Sequence, residues 1–493
     1  MAPNSAPSTS APDIAGKNLV EKSGVEKTGR FPVWPETISF WLLITILAWA
    51  PFPLGSNRPW SWALLSLLVV ACWVAWVVAV WQEPEVAARQ FRRVAMPVIL
   101  ASLALLWGLV QICPSVFTSW AHPIWAIGAD GLGIPLHGMI ALDPWRTSTE
   151  LMKLATYVMA AWLAYALCQR SERAERLLDA LILIGIFYAI YALVLGMLGL
   201  TQIEVLYSSP SIGGLLAGPF VGHAHFATYV GMLALCACVR LFALGSENIA
   251  TGRGLKPLFL GALKFVHGRG LAPLIALFAL ISMLIAAASR AGVIAMLVGM
   301  IVLLVVSGLT VSRRLLSRWT SVAVIVVALL VVVLFQINGD TLQVRFDSLT
   351  EGGEGFGLRT VFWEAASHMI ATSPWQGTGL GNFERAYPLF ADHVYPFNMD
   401  KTHNDYLELV VGWGLPASLA WWCAVLWLAV RCLRGIFQRR RHRTYALVAT
   451  AATALVAFHA VFDFSLQIPA VALTYAVILG LGVAQAYPSR QMA

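Results

Sequence analysis

LAPLIALFALISMLIAAASRAGVIAMLVGMIVLLVVSGLT (271–310) decides the fold. Two apolar runs, 271–288 and 291–311, are separated only by Ser289 and Arg290. Crossing the hydrocarbon of a membrane takes about 20 apolar residues. One helix over both runs would be far too long for a single crossing. A tight hairpin at Ser289–Arg290, joining two spans, follows.

Ten further runs of similar character lie on either side. The expected spans are 38–54, 60–81, 94–113, 151–168, 177–199, 223–244, 271–288, 291–311, 320–337, 404–432, 444–464 and 468–487. The fold class is therefore an all-α integral membrane protein of about twelve transmembrane helices. Composition agrees: 59% of the 493 residues are hydrophobic and only 12% are charged. A soluble core of this size cannot hide so much apolar surface. Trp is abundant, as interfacial belts require.

Basic residues fix the orientation. With the N-terminus inside, 25 of the 33 Lys and Arg fall on cytoplasmic segments or the adjoining helix ends. Every expected inner loop carries at least three of them, and RRRHR (439–443) is the densest. This matches the positive-inside rule with both termini cytoplasmic. Residues 1–37 read as a disordered cytoplasmic tail and 38–337 as helices 1–9. Residues 338–403 read as one large, partly helical outer loop and 404–493 as helices 10–12.

Eight basic residues remain on the outer face, among them Arg146, Arg290, Arg359 and Lys401. Arginine there runs against the orientation rule, and ionisable groups at a membrane point to function. Arg290 in ASRAG has small neighbours that let an anion approach, although a lipid-facing arginine that snorkels to headgroups is the plainer reading. His403 precedes NDYLELVVGWG at the mouth of the tenth span, where imidazole can take a proton from a hydroxyl. Asn404 and Glu408 share its helix face, and Asn404 or Asp405 also reads simply as a helix cap. Arg359 and Trp363 are four apart on an outer helix, which also suits an amphipathic helix resting on the membrane. His223 and His225 open the sixth span about 200° apart, so only one faces any given site, with His225 the better candidate, and both also read simply as capping or packing residues. His459 and Asp463, four apart, read as a hydrogen-bonded pair bracing the bundle. The seven cysteines lie in apolar runs without metal-ligand spacing. No P-loop, metal-binding cluster or internal repeat is visible.

These pieces carry a resemblance. R-x3-W (Arg359, Trp363), SPWQGTGLGNF (373–383) and HNDYLELVVGWG (403–414) resemble the signature region of the O-antigen ligase and Wzy-type polysaccharide polymerase superfamily. LDPWRTSTELMKL (142–154), GHAHFATYVG (222–231), ASRAGVIAMLVG (288–299) and FDFSLQIPAVAL (462–473) are similar to it in the same order. The resemblance implies a bacterial inner-membrane glycosyltransferase of the GT-C type. Such an enzyme moves glycan from undecaprenyl pyrophosphate to an acceptor hydroxyl at the periplasmic face. It is expected to invert the anomeric centre and to need neither metal nor cofactor. The acceptor is a second lipid-linked unit in a polymerase and lipid A–core in a ligase. Polymerase is slightly favoured by the DPWRT, HNDYLEL and FDFSLQIPA pieces.

By that resemblance His403 is the base, Arg290 grips the pyrophosphate and Arg359 is a second motif arginine. His225, Asn404, Trp363, Glu408 and Arg146 complete the expected substrate contacts. Many relatives have Asn-Pro-Asn-His where this chain has Gly222-His223-Ala224-His225. The alternative is a flippase or transporter of lipid-linked glycans. It calls for polar residues along a midplane path, whereas the ionisable groups here gather at the outer face.

Overall fold

The structure, a computed structural model, describes residues 34–81, 83–115, 117–199, 216–248, 268, 270–310, 354–391, 400–439 and 441–487. Residues 1–33 of the expected tail 1–37, the span 320–337 and the first part of the long loop, 338–353, lie outside these residues, and 34–37, expected in the tail, begin a helix instead.

Every regular element among the described residues is helical. In chain order they are α1 (Trp34–Trp49), α2 (Pro59–Val80), α3 (Pro84–Arg93), α4 (Ala95–Gln111), α5 (Ile124–Leu132), α6 (Pro144–Leu167), α7 (Ser171–Met197) and α8 (His223–Asn248). They continue as α9 (Leu271–Ala286), α10 (Arg290–Thr310), α11 (Glu354–Thr372), α12 (Asp405–Trp413), α13 (Leu415–Gln438), α14 (Thr444–His459) and α15 (Pro469–Ala484). Five of them, α2, α7, α8, α10 and α13, are long and apolar enough to cross a membrane. A sixth span arises if α3 and α4, bent by 81°, count together. Four more apolar helices, α1, α9, α14 and α15, are 16 residues each.

The core forms around α15. It is apolar on all sides, so it cannot face water, and every one of its residues is buried. It packs on α6, α14 and α13. Small residues make this closeness possible: a Cβ on Gly480 would stand 2.2 Å from the Ala161 carbonyl oxygen of α6. The pairs α8–α9, α10–α14 and α4–α13 complete the bundle.

The junction at Ser289–Arg290 is a sharp corner with Ala288 at φ +50°. The Ser289 hydroxyl accepts from the Gly292 N–H at 3.2 Å and starts α10. The two helices then diverge, α9 toward α7 and α8 and α10 toward α14. The expected tenth span, 404–432, is two helices. Gly414, at φ +76°, breaks it, and Pro416 opens α13. Residues 84–93, read as part of an inner loop, form α3, which carries no buried residue.

Candidate active site at the His403 corner

Residues 400–405 turn into α12 and hold His403 at φ +52°, a conformation rarely adopted by a residue with a side chain. The surroundings fix this turn. Asn404 caps α12, its side-chain oxygen accepting from the N–H groups of Tyr406 at 2.9 Å and Leu407 at 3.1 Å. The Thr402 N–H donates to Glu408 Oε2 at 2.9 Å, and Lys401 Nζ reaches Gln467 at 2.6 Å and Glu408 at 3.4 Å. Asn404 and Glu408, expected to touch substrate, thus shape the loop. Burial works against the charge on Lys401, but the Glu408, Glu150 and Asp400 carboxylates outweigh it and raise its pKa above the ordinary lysine value.

The same turn is stitched to residues 460–467. The Asp405 N–H donates to the Ala460 carbonyl at 2.9 Å, and the Leu466 N–H donates to Asp405 Oδ2 at 3.1 Å. This brings Asp463, only 3% exposed, beneath His403. Asp463 Oδ1 lies 3.5 Å from His403 Nδ1, and its Oδ2 lies 3.5 Å from His225 Nδ1. The Ser465 hydroxyl contacts Asp463 Oδ2 at 3.3 Å, His225 Nδ1 at 3.2 Å and His459 Nδ1 at 3.2 Å. His459 therefore joins the carboxylate through Ser465. The helix that would have aligned His459 with Asp463 ends at His459, which frees Asp463 to turn toward the other two rings.

His403 stacks on Phe362 of α11, centroids 5.8 Å apart at 20°, and meets Phe464 edge-on at 4.9 Å. One carboxylate thus orients an imidazole whose ring is clamped by two aromatics. His403 is one-third exposed, so its other nitrogen remains reachable.

Arg359, one turn before Trp363 on α11, lies within the fields of Asp463 and Arg290. Burial lowers its pKa from the ordinary value, Asp463 opposes that, and the Arg290 charge adds to it. Arg290 and Arg359 therefore stand near one another on the Asp463–His403 side. Two guanidiniums beside one carboxylate leave an excess of positive charge that suits a polyanion. Trp363 is half-buried with Phe362 in the small core under α11.

Arg146 lies apart from this cluster. It pairs with Glu384 and lies 3.8 Å from Asp143, joining the start of α6 to residues 373–391. That segment, SPWQGTGLGN in sequence, docks on the end of α12: Thr378 and Gly379 donate to the carbonyls of Val411 and Gly412, each at 2.9 Å. A Cβ on Gly377, at φ +67°, would stand 2.3 Å from the Gly412 carbonyl oxygen. The glycines of the motif thus let one backbone lie against another.

Sequence reading missed the orienting role of Asp463 and a set of buried charges. Lys153 meets Glu150 at 2.6 Å beside the Lys401–Glu408 pair, although all four lie near expected span ends. Their spacing in sequence gives no hint of the meeting; only FDFSLQIPA (462–470), as a motif, marks the Asp463 segment.

No curated protein matches the chain. Residues 275–422 match the family model described as O-antigen ligase. The matched region contains Arg290, Arg359, Trp363 and the His403 turn. Over residues 275–422 the chain is thus similar to the O-antigen ligase superfamily that its motifs resemble.

Proposed function

We propose that this protein is an inverting, metal-independent glycosyltransferase of the bacterial inner membrane. It takes a glycan from undecaprenyl pyrophosphate and joins it to an acceptor hydroxyl at the periplasmic face, with both termini cytoplasmic. The observation that carries this reading is the His403–Asp463 pair set beside Arg290 and Arg359.

The chemistry follows from the leaving group. The acceptor oxygen forms a bond to the anomeric carbon as the bond to the pyrophosphate oxygen breaks. His403 takes the hydroxyl proton, and the Asp463 carboxylate orients the ring and stabilises the imidazolium that results. Charge growing on the departing pyrophosphate is met by the two guanidiniums. Attack from the face opposite the leaving group inverts the centre.

Between the two acceptors, a second lipid-linked unit is slightly favoured by the DPWRT, HNDYLEL and FDFSLQIPA segments. The deciding experiment is reconstitution with undecaprenyl-pyrophosphate glycan and, separately, lipid A–core or a second lipid-linked unit. Elongation of the lipid-linked unit alone supports a polymerase, and glycan on lipid A–core alone supports a ligase. Transport of intact lipid-linked glycan without transfer to either would overturn the enzyme reading in favour of a flippase.

A further inference from the structure

A second feature borders α12 and the residues that hold the His403 turn. A groove of about 1180 Å³ runs between α2, α4, α6, α13 and α15. Its walls are Trp73, Trp76, Trp162, Trp421, Trp422 and many aliphatic side chains. Interiors are close-packed, so an apolar space this large is not a packing fault. One end is closed by Glu150, Asp405, Glu408 and Gln467, where the buried charges balance one another.

The opposite end is different. There the lining is Ala87, Ala88 and Phe91 of α3, with Tyr165 of α6. The Tyr165 hydroxyl donates to the Gln90 carbonyl at 3.1 Å and adjoins the Arg93 side chain. Arg93 and Arg431 both stand on the Tyr487 ring, 5.1 and 4.1 Å from its centroid. Arg89 and Arg92 lie exposed on the same short helix. The 81° bend between α3 and α4 gives α3 the attitude of a helix lying along a bilayer surface. An apolar slot with cations at one mouth and none in excess at the other is the mould of an anionic lipid.

We infer that this groove is a binding site for an anionic phospholipid of the phosphatidylglycerol class. Its acyl chain lies along the tryptophans, and its phosphate sits at Arg93 and Arg431. The site is separate from the proposed donor site, because the cations paired at the groove's α12 end leave no excess positive charge there for a pyrophosphate. Bound lipid would brace α13 and α15 against α4 and α6 from the α3 side.

Native mass spectrometry of the full chain from detergent micelles tests this, with phosphatidylglycerol and phosphatidylcholine offered in turn. The site predicts one retained phosphatidylglycerol per chain, at least tenfold preferred over phosphatidylcholine. In Arg93→Ala/Arg431→Ala the preference falls to near parity. Should that variant fail to fold, a phosphatidylglycerol bearing an acyl-chain diazirine is photolysed with the wild-type protein. Label in residues 419–428 and 472–483 supports the site. Equal retention of the two lipids by wild type, or label outside the groove walls, overturns it. Displacement of phosphatidylglycerol by undecaprenyl phosphate at equal concentration also overturns it, because the groove would then hold the polyprenyl chain.

Discussion

In the proposed mechanism His403 is the residue on which the chemistry turns. Replacing it with Ala removes the proposed general base, worth about 10²–10⁴-fold in rate. It also relieves no packing that the bundle needs, since the ring is one-third exposed. His403→Ala is therefore expected to fold and to lose at least a hundredfold in turnover. Asp463→Asn keeps the shape but withdraws the charge that holds the His403 ring. Turnover should fall by about the same order with little change in KM, and a KM effect alone would mean that Asp463 only packs. Arg290→Ala and Arg359→Ala remove charge-assisted contacts of about 1.5–3 kcal/mol each, so donor affinity should drop roughly ten- to hundredfold when titrated with undecaprenyl pyrophosphate. The sequence singled out His403, Arg290 and Arg359 because basic groups on the outer side of a membrane are unexpected, and the structure brings His403 and Arg359 toward Asp463. Asp463 was legible only as a titratable group. Its i, i+4 spacing from His459 suggested a helical pair, but the helix ends at His459, four residues before Asp463.

At the level of elements, two features hold the His403 turn. The first is the docking of residues 373–382 on α12, which works only because Gly377 and Gly414 have no Cβ. A Cβ at Gly414 would stand 2.3 Å from the Trp375 carbonyl oxygen. Gly377→Ala and Gly414→Ala add both that clash and positive-φ strain of about 1–3 kcal/mol, and should lower the thermal midpoint in detergent. The second is the Lys401–Glu408 pair beneath the turn. The folded state raises the lysine pKa, so its contribution to stability is complete below the unfolded lysine value near 10.4 and disappears as pH climbs through the higher folded value. Lys401→Met should thus cost stability at neutral pH and cost progressively less as pH climbs past the ordinary lysine value, which a thermal series across pH would reveal. The sequence reading takes 404–432 as one span, because apolar residues continue on both sides of the break. Gly414 followed by Pro416 was the available sign that one helix stops and another starts.

For the whole molecule, the apolar composition made the helical class plain, and the corner at Ser289–Arg290 follows from run length alone. The bend at α3–α4 did not, since a short polar helix carries too little hydrophobic pattern to separate it from a loop. Nor does any one-dimensional signal say that α6, α12 and the 463–467 turn share a charge network; those meetings are set by how the helices pack. The proposed topology places residues 114–150 and 400–403 on one side of the membrane and residues 433–443 on the other. Single cysteines at Trp145 and Arg441 in a chain lacking its native cysteines should react from opposite faces of spheroplasts, and labelling from the same face would contradict the orientation. The account as a whole rests on glycan transfer at the His403 corner. Its most direct test is a single-turnover measurement in proteoliposomes loaded with undecaprenyl-pyrophosphate glycan and acceptor, for wild type and folded His403→Ala. The account predicts glycan on the acceptor and free undecaprenyl pyrophosphate from the wild type, with at least a hundredfold slower release from the variant; equal rates from the two proteins would contradict it.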